Sequence, residues 1–60
     1  MAKRILVVDD EPDIRRLVAE ALEVTGYDVH TAANGADALR TAGLYLPDLV
    51  LLDIMMPDMD

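Results

Sequence analysis

Two uninterrupted aliphatic runs constrain the fold of this chain more than any other feature: "ILVV" at residues 5–8 and "LVLL" at residues 49–52. Continuous runs of branched apolar residues are typical of strands that are covered on both faces, as in parallel sheets. We therefore predict strands at about residues 3–9 and 49–53. Each predicted strand ends in an acid, Asp9 or Asp53, although a carboxylate is costly to bury without a partner.

The segment after the first run has the pattern of an amphipathic helix, predicted at residues 12–25. Pro12 suits the first helical turn, because the N–H that proline lacks has no intrahelical acceptor there. Gly26 is a natural C-terminal stop. Apolar residues recur at helical spacing and are expected to face the core: Ile14, Leu17, Val18, Ala21 and Leu22. The charges between them, including Arg15 and Arg16, are assigned to a solvated face.

The middle of the chain supplies a second strand and a second helix. "YDVHTA" at residues 27–32 has the alternation of a half-exposed or edge strand. Asn34 can cap a helix predicted at residues 35–43, which is expected to end near Gly43. The order of elements is then β-α-β-α-β, which implies a parallel sheet with crossover helices. Right-handed crossovers limit the topology. If the first strand is central, which fits its unbroken apolar run, the order is 2-1-3 and the helices cover opposite faces.

This topology brings three carboxylates together. Asp9 and Asp10 end the first strand, and Asp53 ends the third. Ligands bind at the carboxyl edge of a parallel sheet where strand order reverses, so these acids are expected to line one crevice. Like charges at short distance repel each other unless some are protonated or a cation joins them. Carboxylate oxygens suit Mg²⁺, and an aspartate beside such an ion can act as a nucleophile toward a phosphoryl group.

Composition excludes several kinds of partner. The net charge of −7 argues against nucleic-acid binding, which needs a basic face, and against an anionic membrane surface. No stretch approaches the roughly 20 apolar residues of a membrane span. The chain has no cysteine, which excludes a disulfide framework and a thiolate metal site. We expect a cytoplasmic protein.

Three stretches resemble the receiver domain of two-component response regulators: "ILVVDDEPDIRRLV", "GYDVHTAANGADAL" and "PDLVLLDIMMPDMD". Together they cover nearly all 60 residues. The most specific motif is D-x-x-M-P at residues 53–57, which stands at the family's usual distance after an acidic pair. The resemblance implies an α/β, flavodoxin-like fold, of which this chain supplies a β-α-β-α-β half with a three-stranded parallel sheet. It also implies a signalling module rather than an enzyme.

The resemblance assigns site residues position by position. Asp53 matches the phospho-accepting aspartate, which is also a metal ligand. Asp10 matches the direct Mg²⁺ carboxylate, and Asp9 matches its partner that holds the metal through water. Met55 matches the position whose backbone carbonyl binds the metal. The resemblance therefore implies Mg²⁺ as the cofactor and a sensor histidine kinase, carrying a phosphohistidine, as the partner.

A receiver domain is considerably longer than this chain. Residues 1–60 are therefore expected to be its N-terminal half, without strands 4 and 5 and the last three helices. The family's phosphate-binding lysine and its hydroxyl residue belong to those later strands. Strand 3 would then present an apolar edge, which invites pairing with another chain. We expect a homodimer that forms through this edge.

Two other functions remain open. One is a phosphorylation-incompetent fragment that self-associates, or pairs with another receiver, as a structural module. The other is a Mg²⁺-dependent phosphatase with an aspartate nucleophile, but that class usually carries D-x-D where this chain has Asp9, Asp10 and Glu11. A dinucleotide-binding unit is disfavoured, because no G-x-G-x-x-G follows the first strand.

Overall fold

A computed structural model of the protein describes residues 2–52, which form three strands and two helices. In chain order the elements are β1 (Arg4–Val8), α1 (Pro12–Thr25), β2 (Asp28–Ala32), α2 (Gly35–Tyr45) and β3 (Leu49–Leu52). The strands make one parallel sheet in the order β2-β1-β3, so the predicted 2-1-3 order is confirmed. Neither helix in this part of the chain has the length and apolar character needed to cross a membrane.

β1 lies at the centre of the core. Leu6 and Val8 are only 0% and 1% exposed. On one face of the sheet, these two side chains pack against Ala32 of β2 and Ala38 of α2. Side chains alternate between the faces of a strand, so the other buried residues of β1 face the opposite side, which α1 covers. The two helices therefore lie on opposite faces of the sheet, as the topology predicts.

The ends of α1 agree with the prediction. Pro12 occupies the start of the helix, where no backbone N–H is required. Gly26 follows the helix in the left-handed conformation, with φ 109° and ψ 7°, and its N–H donates to the carbonyl of Glu23 at 3.0 Å. A glycine ends the helix here because it adopts positive φ without the steric cost that a side chain would add.

The apolar stripe of α1 faces the core only in part, so that prediction was partly wrong. None of its five predicted residues is fully buried: Ile14 is 47% exposed and Leu17 is 63% exposed. The buried residue of α1 is Ala19, which the prediction did not include. The cause is the position of α1, which packs mainly over β1 and β2 and leaves one side of its stripe facing β3 across an open groove. Apolar side chains of both elements line this groove: Ile14, Val18, Leu51 and Leu52.

α2 begins as predicted but ends later. The side-chain Oδ1 of Asn34 accepts a hydrogen bond from the N–H of Asp37 at 2.9 Å, so the predicted cap is confirmed. The helix continues for two residues past Gly43, and the prediction that it ends near that glycine was wrong. It ends at Tyr45 and is followed by the capping residue Leu46, which has φ 55° and ψ 63°. Pro47 explains this position, because proline disfavours the helical conformation in the residue before it.

An aromatic stack fastens the end of α2 to β2, at the end of the sheet opposite the predicted acidic site. The rings of His30 and Tyr45 lie 3.7 Å apart between centroids, with 12° between their planes. Arg4 at the start of β1 donates to the carbonyl of Tyr45 at 3.1 Å. The Tyr45 hydroxyl donates to the carbonyl of Asp28. Partial burial and then the nearby Asp28 carboxylate raise the pKa of Tyr45, so its phenol is neutral at physiological pH.

Candidate functional site

Two acidic residues follow β1 at the carboxyl edge of the sheet. Asp9 is 9% exposed, and its N–H donates to the carbonyl of Ala32 at 3.1 Å, which continues the pairing of β1 with β2 beyond Val8. Asp10, the next residue, is exposed. The structure therefore places the predicted acidic pair at the expected edge of the sheet. Asp9 is buried there and Asp10 is exposed to solvent.

Two further hydrogen bonds hold Asp9 from the start of α1. Its side-chain Oδ1 accepts from the N–H of Glu11 at 2.9 Å. Its backbone carbonyl accepts from Nη1 of Arg15 at 2.8 Å. The second carboxylate oxygen, Oδ2, takes part in neither bond. The two bonds fix the backbone of Asp9 and the orientation of its carboxylate.

Within residues 2–52, neither acid of the pair forms an ion pair with a basic side chain. The ion pair found among residues 2–52 joins Arg40 and Asp37 on α2 and includes neither acid of the pair. Arg15 lies beside Asp9, but it donates to a carbonyl and forms no ion pair with the carboxylate. A largely buried carboxylate without a counter-charge is costly. A cation from solution would reduce that cost and the repulsion between the two acids.

The donor chemistry of this edge fits Mg²⁺. Residues 2–52 contain no group of three or more histidine, cysteine, aspartate or glutamate side chains arranged for metal binding, so Asp9 and Asp10 stand as a pair. Mg²⁺ usually takes one or two protein carboxylates and keeps several waters, or binds phosphate oxygens in their place. Two hard oxygen donors therefore suit this ion better than zinc, which prefers nitrogen and sulfur ligands.

The third predicted acid follows β3 directly in the sequence. Leu52 of β3 pairs with Val8 of β1, the residue that precedes Asp9. The two strands are thus in register as far as the acidic pair. Asp53 and Met55 lie outside the described residues, so their assignments as phospho-acceptor and carbonyl ligand stay predictions.

Arg15 is the residue of this edge that sequence reasoning missed. The charge pattern assigns Arg15 and Arg16 alike to a solvated face, which is wrong for Arg15 because its guanidinium reaches back to the carbonyl of Asp9. The signal that could have indicated this contact is the short separation along the chain between Arg15 and Asp9. An arginine in the first turn or two of a helix that starts directly after a strand has the length to reach the end of that strand.

Comparison with known proteins identifies the family. The model of the response regulator receiver domain matches residues 5–60. The alkaline phosphatase synthesis transcriptional regulatory protein PhoP of Bacillus subtilis is 52% identical over 60 residues, which are 100% of this chain and 25% of that protein. The probable transcriptional regulator ycf27 of Cyanophora paradoxa is 53% identical over 58 residues, or 97% of this chain and 24% of that protein. The chain thus spans about a quarter of the length of these relatives.

A solved structure has the same fold. The chemotaxis response regulator CheY4 of Vibrio cholerae superposes with a TM-score of 0.92 and 39% sequence identity, covering 98% of this chain and 49% of that one. The predicted flavodoxin-like arrangement, with three parallel strands in the order 2-1-3, is therefore confirmed. On its sequence and on its fold, this chain belongs to the response regulator receiver domain family.

Proposed function

We propose that this chain is a phospho-accepting signalling module, in which Asp53 receives a phosphoryl group beside a bound Mg²⁺. Asp9, Asp10 and Asp53 would supply carboxylate oxygens to the metal, and Met55 would supply its backbone carbonyl. The observation that carries the proposal is the acidic pair at the end of the central strand, with Asp9 buried and hydrogen-bonded. In sheets of this type, ligands bind at that edge.

Membership in the family supports the partner of this proposal. Receiver domains of response regulators are signalling domains that sensor histidine kinases phosphorylate, and they bind Mg²⁺ at the phosphorylation site. We extend these properties to this chain and take the donor to be a phosphohistidine on such a kinase, in the cytoplasm. Residues 1–60 would then supply the first three strands and two helices of a receiver domain.

The proposed transfer is a displacement at phosphorus. One oxygen of the Asp53 carboxylate attacks, a new P–O bond forms, and the bond to the donor breaks with its electron pair on the leaving group. Bound Mg²⁺ would neutralise the charge that gathers on the phosphoryl oxygens. Asp9 contributes a carboxylate whose orientation is set in advance, because Glu11 already holds its Oδ1.

Incubation with a small acyl phosphate and Mg²⁺ is expected to add one phosphoryl group to the wild-type chain. Intact-protein mass spectrometry after a rapid acid quench measures the increment. Removal of Mg²⁺ with EDTA is expected to abolish it, because transfer then lacks the cation that neutralises the phosphoryl oxygens. A wild-type chain that gains no phosphoryl mass in the presence of Mg²⁺ would rule out the phospho-acceptor function.

A second candidate function is self-association, and the exposure of β3 favours it. All four residues of β3 are apolar, and their exposed fractions lie between 37% and 51%. β3 pairs with β1 on one side and, within residues 2–52, with no strand on the other. A two-fold interface places the same patch on both subunits, so this edge can pair antiparallel with the same edge of a second copy. We propose a homodimer of this form.

Leu51→Lys is expected to convert the dimer to a monomer, because a charged side chain on an edge strand opposes further strand pairing. Sedimentation velocity at high micromolar concentration measures the change. Val24→Lys is the matched control, since it adds the same charge at an α1 position that is 89% exposed, and it is expected to stay dimeric. A folded, monomeric wild type at these concentrations would contradict the homodimer and leave the signalling proposal unaffected.

A further inference from the structure

We infer that Arg15 is a positioning residue for the acidic pair and that it acts through the backbone of Asp9. The inference rests on the proposed Mg²⁺ site. Its basis is the 2.8 Å hydrogen bond from Nη1 of Arg15 to the carbonyl of Asp9, which crosses from the second turn of α1 to the end of β1. The bond is partly buried, so water competes with it less than at an open surface.

Three hydrogen bonds hold Asp9, and the one from Arg15 ends on its backbone carbonyl. The N–H of Asp9 donates to Ala32 of β2 at 3.1 Å. Its carboxylate accepts from the N–H of Glu11 at 2.9 Å. The contact with Glu11 closes a turn that contains the peptide group after Asp9. The bond from Arg15 adds a second restraint, because it ends directly on the carbonyl of that peptide.

The peptide group between Asp9 and Asp10 affects the direction of the Asp10 side chain. The carbonyl of Asp9 and the N–H of Asp10 belong to one planar unit, so fixing the carbonyl fixes the point from which the Asp10 side chain leaves the backbone. Asp10 is exposed, and no hydrogen bond to its side chain is found among residues 2–52. Its direction toward a cation is therefore set by the backbone, which the bond from Arg15 and the turn closed by Glu11 hold together.

The charge of Arg15 and its hydrogen bond have opposite effects on a cation. A guanidinium near the site repels Mg²⁺, so charge alone predicts tighter binding when the arginine is removed. Loss of the hydrogen bond predicts weaker binding, because Asp10 must then be ordered by the metal itself. The sign of the change in affinity separates the two effects.

The adjacent Arg16 provides a matched control. Arg16 is exposed, carries the same charge on the same helix, and makes no hydrogen bond to the acidic pair in the described part of the chain. Arg15→Ala and Arg16→Ala therefore remove equal charge and differ in the bond to Asp9. Arg15→Lys keeps both the charge and a donor long enough to reach the carbonyl.

Titration of the full chain with MgCl₂, followed by amide chemical shifts, tests the inference. Arg15→Ala is expected to weaken Mg²⁺ binding roughly tenfold, the lower end of the usual range when an outer hydrogen bond to a ligand is lost. Arg16→Ala is expected to bind Mg²⁺ as tightly as the wild type or slightly more tightly, and Arg15→Lys to recover most of the lost affinity. Equal affinities for the two alanine variants would overturn the inference.

The metal-free protein gives an independent readout. Arg15→Ala is expected to shift the amide signals of Asp10 and Glu11, while Arg16→Ala leaves them in place and urea unfolding shows that both variants are folded. If the wild type bound no Mg²⁺, the proposed function would fail, and these metal-free signals would still decide the role of Arg15. Unchanged Asp10 and Glu11 signals in Arg15→Ala would refute that role. If Arg15→Ala were unfolded, the same comparison would be made with Arg15→Lys and Arg15→Gln, where only the glutamine variant is expected to shift both signals.

Discussion

Leu6→Ala is expected to remove most of the stability of this protein. Leu6 is 0% exposed and lies on the central strand, between Ala32 and Ala38. Replacement of a buried leucine by alanine costs about 2–5 kcal/mol, because the lost apolar transfer adds to the cavity left behind. The core of so small a domain rarely contributes more than roughly 3–5 kcal/mol. The variant should therefore be largely unfolded in the absence of denaturant, as circular dichroism and urea titration would show.

Leu39→Ala makes the same chemical change at an exposed site. Leu39 lies on α2 and is 80% exposed, so its truncation is expected to alter the free energy of unfolding by no more than about 0.5 kcal/mol. The contrast between the two variants isolates burial from residue type. A Leu6→Ala protein with the urea midpoint of the wild type would show that β1 is not the centre of the core.

The strands were predictable because they follow from runs of apolar residues in the sequence. Their order was predictable because it follows from general rules for connecting parallel strands. The run at residues 5–8 has no polar position, which is typical of a strand covered on both faces, and β1 is buried as predicted. With this strand at the centre, right-handed crossovers give the order 2-1-3, which the sheet has. The glycine after α1 and the asparagine before α2 are local signals with local causes, and both are confirmed.

The predictions were wrong where a local sequence pattern is compatible with more than one structure and tertiary packing selects between them. The stripe on α1 is wide, and the sequence does not say which side of it meets the sheet. Because α1 packs mainly over β1 and β2, it buries Ala19, which lies outside the predicted stripe, and leaves Leu17 of the stripe 63% exposed. Gly43 could end a helix, but α2 continues to Tyr45. It stops there because Pro47 disfavours the helical conformation in Leu46.

At the candidate site, too, some features were predictable from the sequence and others were not. The strand ends place Asp9 and Asp10 at the carboxyl edge, and the parallel register of β3 with β1 leads toward Asp53. The role of Arg15 was not predictable from charge pattern, since Arg16 has the same charge and a similar surrounding sequence. Only the direction of each side chain around the helix separates the arginine that reaches the carbonyl from the one that faces solvent.

Asp53→Asn is expected to abolish phosphoryl labelling by an acyl phosphate, which is the largest effect expected at the proposed site. An ionised carboxylate attacks phosphorus, whereas a carboxamide has no comparable nucleophilic oxygen at neutral pH. Asp10→Asn leaves the nucleophile in place and removes a proposed metal ligand, so labelling should persist at a rate at least roughly tenfold lower. Raising the Mg²⁺ concentration should restore labelling in part for Asp10→Asn and not at all for Asp53→Asn.

Asp58→Asn is the control for charge in this comparison, because it removes one negative charge near Asp53 in the sequence but outside the D-x-x-M-P motif. It is expected to label like the wild type. Intact mass spectrometry over a time course measures all three variants, and peptide mapping of the labelled wild type should locate the phosphoryl group on Asp53. Equal labelling of Asp53→Asn and wild type would mean that another carboxylate is the acceptor. Asp9 and Asp10 would then be the first candidates to test, since they provide the acidic pair at the carboxyl edge of the sheet.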